Sequence, residues 1–232
     1  MKSNPSDRSD ASGKHAKGFF PLFTVLMSLI FLACAVATGT VNGLLEKEIL
    51  KVAGWAAHHW PRGELYRLFS SAFLTFGGLG FWGSWISLSV ILGLTEFRLG
   101  HWPVLILFWG GHLVTLLLLD FVLLGSLHLG GVGLGTTLWH THDVGPSAGY
   151  YTCLGVLVLL CPARPLVPVA VSAVVSFIVG SLLWHLFREP VNYTKVIADL
   201  AHATAFLLGI VAFRMTPGIR NHSKAQGVWQ CP

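Results

Sequence analysis

Gly145-Pro146-Ser147-Ala148-Gly149-Tyr150-Tyr151-Thr152-Cys153-Leu154-Gly155 opens an apolar run that ends about 16 residues on, at Cys161-Pro162. A helix needs about 20 residues to cross the hydrocarbon at 1.5 Å per residue. This run is therefore short for a lipid-facing span, or it is shielded by its neighbours. Its first half is rich in small residues, Gly145, Ala148, Gly149 and Gly155, which let other helices approach its backbone. The expected place for such a segment is the middle of a bundle.

The remainder of the 232-residue chain supplies that bundle. Hydrophobic residues make up 53% and charged residues 11%, a membrane composition. Apolar runs bounded by charge, Pro or Gly fall near residues 19–41, 68–94, 102–124, 146–161, 165–187 and 196–214. The predicted fold is an all-α membrane protein in one domain, residues 18–214. It has six transmembrane helices, with the short fourth helix at the centre. Residues 1–17 are polar and read as a disordered cytoplasmic tail, and residues 215–232 as a cytoplasmic C-terminal tail. The run after Lys14 and Lys17 is long and lacks a small-residue cleavage site, so it is predicted to be a retained helix rather than a signal peptide.

An even number of spans puts both termini on one side. Nine basic residues fall on that side (Lys2, Arg8, Lys14, Lys17, Arg98, Arg164, Arg214, Arg220 and Lys224) and six on the other (Lys47, Lys51, Arg62, Arg67, Arg188 and Lys195). The bias places both termini in the cytoplasm and accounts for the net charge of +5 without nucleic acid. The four cysteines, Cys34, Cys153, Cys161 and Cys231, have no Cys-x-x-Cys spacing and imply no disulfide framework.

Ser147 at the mouth of the fourth run and His202 within the sixth are polar groups at membrane depth, where each is a functional-site candidate. On this topology both runs start on the outer side. His202 lies about seven residues in, roughly 10 Å at the helical rise, so the two side chains reach similar depth. A neutral imidazole beside a serine can accept its proton and let the oxygen attack a carbonyl. The plain alternative is that Gly145-x-x-x-Gly149 is a packing motif and that His202 bonds a neighbouring helix. Asp199 precedes His202 by three residues, on the same helix face, and can orient the imidazole or serve near the helix end.

Four ordered segments resemble the rhomboid family of intramembrane serine proteases over roughly residues 19–214. Tyr66-Arg67 resembles the family's Trp-Arg in the first loop, and Glu96-Phe97-Arg98-Leu99-Gly100 its Glu-x-Arg-x-Gly closing the second span. Gly145-Pro146-Ser147-Ala148 is similar to Gly-x-Ser-Gly, with Tyr151 and Gly155 four and eight residues after the serine, and Ala201-His202 with Gly209 resembles the sixth-span pattern. The resemblance implies Ser147 as nucleophile, His202 as base and Tyr151 as the ring on which it stacks. It implies single-span membrane substrates cut near the outer face of the plasma membrane, with no cofactor. A gap-free alignment puts Thr75, Gly80 and Ser84 where the family has His, His and Asn, so Gly80 and Ser84 occupy the oxyanion side. Ala148 and Ala205 replace two glycines, and Pro146 removes an N–H beside the serine. A catalytically weak or inactive relative that binds transmembrane segments is the alternative function.

The remaining histidines carry weaker signals. His140, His142 and Asp143, with His128 as the only other nearby imidazole, read as a polar loop, and no metal is assigned; Asp143 is expected to cap the fourth helix. His112 and His185 read as solitary polar side chains rather than haem ligands. Residues 42–64 read as an interfacial amphipathic segment, and Asp120 as an interfacial residue.

Overall fold

The computed structural model describes residues 20–161 and 165–219, so both predicted tails lie wholly or mostly outside the described residues. Everything described is helical or connecting. In chain order the helices are α1 (Leu22–Ala37), α2 (Lys47–Ala53), α3 (Arg67–Ser70), α4 (Leu79–Leu99), α5 (His101–Leu118), α6 (Gly125–Leu129), α7 (Gly133–His140), α8 (Ser147–Leu159), α9 (Leu166–Phe187) and α10 (Tyr193–Met215). A π-helical stretch, Leu119–Leu124, joins α5 to α6 without a break. Four segments are long and apolar enough to cross a membrane: α4, the continuous His101–Leu129 rod, α9 and α10. Helices α1 and α8 are apolar but shorter. The arrangement is compatible with a multi-pass membrane protein.

Helix α8 is 13 residues long and buries eight of them, among them Ala148, Gly149, Tyr150, Cys153 and Val156. Glycines set how closely its neighbours approach. A Cβ on Gly149 would fall 2.5 Å from the Phe108 ring of α5, and one on Gly111 of α5 would fall 2.3 Å from Thr152 Oγ1. Against α10 the backbones themselves meet: a Cβ on Gly155 would lie 2.3 Å from Phe206 O, and one on Gly209 would lie 2.1 Å from Thr152 O. The pairings of residues 151 with 202 and 155 with 209 advance together, so α8 and α10 run parallel. By contrast, Ile178 is the only buried residue of α9, which packs on the rim.

The second apolar run begins at Leu79, not near residue 68. Gly77 and Gly78 both have positive φ, at 92° and 59°, and a Cβ on Gly77 would strike Gly43 O at 2.0 Å. Residues 67–73 instead form short helical turns whose apolar members, Leu68 and Ala72, are buried inside the protein. Thr75 therefore precedes α4 and accepts a hydrogen bond from Gly77 N. The third run continues past residue 124 to Leu129, turns at Gly131 (φ 70°) and returns as α7.

At one end of the bundle Glu96, fully buried, accepts hydrogen bonds from Phe23 N (2.9 Å), Thr24 N (2.7 Å) and Thr24 Oγ1 (2.5 Å), and it contacts His101. The first N–H groups of a helix have no partner within it, and this carboxylate supplies one to α1 from α4. Arg98 Nη1 reaches the Leu160 carbonyl (3.4 Å) at the end of α8. Gly100, at φ 82°, makes the turn from α4 into α5.

Candidate active site and the loops around it

The segment leading into α8 is held before the helix starts. Gly145, at φ 135°, donates its N–H to Ser71 O (2.8 Å), and Asp143 exchanges backbone hydrogen bonds with Trp55 at 2.7 and 3.1 Å. Pro146 occupies the cap position and Ser147 is the first helical residue. At the first helical turn a proline loses no intrahelical bond. The Ser147 amide belongs to the turn whose N–H groups have no helical acceptor, and the helix dipole adds partial positive charge there.

One turn along α8, the Tyr151 ring lies parallel to the His202 ring of α10, with centroids 4.3 Å apart and planes at 15°. His202 Nδ1 is 3.7 Å from Asp199 Oδ1. The other Asp199 oxygen takes hydrogen bonds from α9: Ser181 Oγ donates at 2.9 Å and His185 Nδ1 lies at 2.9 Å. Asp199 thus joins the imidazole of α10 to the rim helix, a role legible from its spacing only as far as His202. No hydrogen bond joins Ser147 Oγ to a His202 ring nitrogen. Among the predicted site residues, the structure brings Tyr151, His202 and Asp199 into contact and leaves the serine hydroxyl unbonded to the imidazole.

Gly80 and Ser84, the positions predicted on the oxyanion side, lie in the first half of α4. Gly80 has nothing within 4 Å of where a Cβ would stand, and it offers no side chain. The Ser84 hydroxyl pairs with Tyr150, the buried tyrosine that follows Gly149. Tyr66 is exposed and its hydroxyl donates to Val52 O (3.2 Å). Arg67 is buried, donates to the Lys51 and Gly54 carbonyls at the end of α2 and pairs through Nε with Glu64 (2.7 Å). Those two, with Glu96, Arg98 and Gly100, fasten loops and helix ends.

Asp120 and Asp143 depart from expectation. Asp120 is 1% exposed, not interfacial, and its Oδ2 accepts both indole N–H groups of Trp55 and Trp60 at 2.9 Å. The segment 42–64 is accordingly docked into the protein at its tryptophans as well as exposed along α2. Asp143 does not cap α8, because Pro146 holds that position; its Oδ1 accepts from Val144 N (2.9 Å). Burial pushes the Asp143 carboxyl up to about 7. A raised folded value means that the charged form is disfavoured: the cost is absent below the ordinary carboxylate value and complete above about 7. Asp143→Asn should therefore change thermal stability little near pH 4 and raise it near pH 8, by a few kcal/mol. Melting curves of the detergent-solubilised protein in chelator would show this, and equal shifts at both pH values would contradict it.

The loop histidines gather in a way sequence spacing did not reveal. His58 and His59, on the 3₁₀ turn Ala57–Arg62, stand against His142 and His140 from the far side of the chain. Burial and neighbouring positive groups hold His59 and His142 down at about 4, so both rings are neutral near pH 7. His112 lies with Nε2 2.8 Å from Leu68 O, and His185 is engaged by Asp199. Compared with known proteins, the chain matches no family model and no curated protein.

Proposed function

We propose that the chain is a rhomboid-like six-helix intramembrane serine endopeptidase, with α1, α4, the α5–α6 rod, α8, α9 and α10 as its spans. Ser147 is the nucleophile and His202 the base, and both termini lie in the cytoplasm. The observation that carries the reading is the parallel Tyr151–His202 stack one turn above Ser147, with Asp199 on Nδ1 of the same imidazole. Such stacking fixes the ring plane, and the Asp199 contact favours a proton on Nδ1, which leaves Nε2 as the lone-pair nitrogen for the serine.

In this reaction His202 takes the Ser147 proton as Oγ adds to a peptide carbonyl of a single-span substrate. The imidazolium then gives that proton to the leaving amine, and water, deprotonated by the same imidazole, hydrolyses the ester to regenerate Ser147. The serine and imidazole have to close into hydrogen-bond reach for the first step, a tightening common when substrate binds. The Ser147 N–H at the helix start is the main oxyanion donor. Gly80 contributes none and Ser84 is drawn to Tyr150, and each missing donor lowers turnover by about 10²- to 10³-fold. The sparsely buried α9 suits lateral access from the bilayer. In proteoliposomes carrying single-span test substrates, Ser147→Ala and His202→Ala should each lower cleavage by at least about 10³-fold; cleavage that survives Ser147→Ala contradicts the reading.

The unbonded serine and the poor donor set on α4 favour a second reading, a non-catalytic relative that binds transmembrane segments. It expects the same substrates to be captured without cleavage, indifferent to Ser147→Ala.

A further inference from the structure

The geometry points to a transition-metal site, of the zinc class, formed by His58, His59 and His142 beside the segment that leads into Ser147. One nitrogen from each ring falls within a group whose members all lie within 4.8 Å of one another. The Nε2 atoms of His59 and His142 are 3.3 Å apart. Two nitrogens bound to one tetrahedral zinc at 2.0–2.1 Å stand about 3.3 Å apart, so this pair already has the spacing of two ligands. His58 Nδ1 is buried and has no hydrogen-bond partner, a cost that a bound cation would remove.

The surroundings match what metal-bound imidazoles need. Glu64 Oε2 lies 2.7 Å from His59 Nδ1, and Arg67 Nε lies 2.7 Å from the same oxygen. A carboxylate on the far nitrogen fixes the tautomer and ring orientation and raises the basicity of the ligating nitrogen, which here is the Nε2 facing His142. His59 is 2% exposed, whereas His58 and His142 are partly exposed, so the three nitrogens sit at the edge of the protein, within reach of an ion from solvent. Three neutral nitrogens and no carboxylate in the ligand group select zinc, copper, nickel or cobalt over magnesium or calcium. His140, whose ring centroid is 5.0 Å from that of His58, stands outside the three-nitrogen group and leaves a fourth position for water or another ligand. The ion would bridge residues 83 apart in sequence. It would reinforce the Trp55–Asp143 backbone pairing four residues before Ser147. Nothing in this argument depends on the serine chemistry.

The test uses the full chain without a histidine tag, stripped with chelator in detergent and titrated with zinc against a chromophoric chelator, with bound metal counted by mass spectrometry. Wild-type protein should hold one zinc per chain and melt at a higher temperature with zinc than without. His59→Ala and His142→Ala should lose that binding. Glu64→Gln, which retains all three ligands, should weaken it about 10- to 100-fold. Melting of each variant in chelator shows whether it is folded; where an alanine variant is not, His142→Gln replaces it, with the same loss expected. Cobalt in place of zinc should give the visible absorption of a four-coordinate ion. Wild-type protein that takes up no stoichiometric zinc, or a folded His59→Ala/His142→Ala double variant that binds as tightly as wild type, would overturn the site and leave the 3.3 Å contact as a hydrogen bond between two imidazoles.

Discussion

Glu96→Ala should cost the fold about 3–5 kcal/mol, enough to deplete folded protein in the membrane. The carboxylate is fully buried and accepts three hydrogen bonds from the first turn of α1, two of them from backbone N–H groups. Alanine removes every acceptor at once, and those N–H groups then sit unsatisfied where water is scarce, at a cost of about 1–3 kcal/mol each. Partial relief by local rearrangement keeps the total below the simple sum. Glu96→Gln retains one oxygen but turns an NH₂ toward a donor, so it should fall between alanine and wild type. Chemical or thermal unfolding in detergent, together with the yield of monodisperse protein, reads the order. A Glu96→Ala protein as stable as wild type would show that α1 is held by its apolar contacts alone.

Gly209→Ala is the second large effect, about 3 kcal/mol at the upper end of what overpacking costs. The new Cβ would stand 2.1 Å from Thr152 O and 3.0 Å from Gly155 Cα. Both are backbone atoms, so no side-chain rotation relieves the clash and α8 must move away from α10. That movement would also part Tyr151 from His202, so labelling of the serine should fall together with stability. Gly180→Ala on α9 is the matched control, because nothing lies within 4 Å of its Cβ position, and alanine is the better helix former by about 1 kcal/mol. Equal behaviour of the two variants would contradict the close helix crossing.

How far the sequence discloses this arrangement depends on the kind of signal. Runs of apolar residues locate the helices well, because lipid and protein interior both demand them. The same property hides the start of α4: Leu68 and Ala72 are as apolar as any span but are buried in a loop, and only the Gly77-Gly78 pair marks the break. The short α8 is legible from its length and its small residues. Asp199 next to His202 is visible as an i, i+3 pair, whereas Ser181 and His185 reach it from another helix. His58 and His59 are conspicuous in sequence, yet His142 lies 83 residues beyond His59, and spacing rules for metal ligands see only local pairs. Asp120 is misplaced for a related reason. A carboxylate near a span end looks interfacial until two tryptophans, 60 and 65 residues away, are seen to donate to it.

An activated serine is the central claim. Detergent-purified protein exposed to a fluorophosphonate probe tests it most directly, with wild type compared against Ser147→Ala and His202→Ala and folding verified by melting. The account predicts labelling of wild type and its loss in both variants. Well-folded wild-type protein that stays unlabelled across a range of pH, or label that persists in Ser147→Ala, would contradict it.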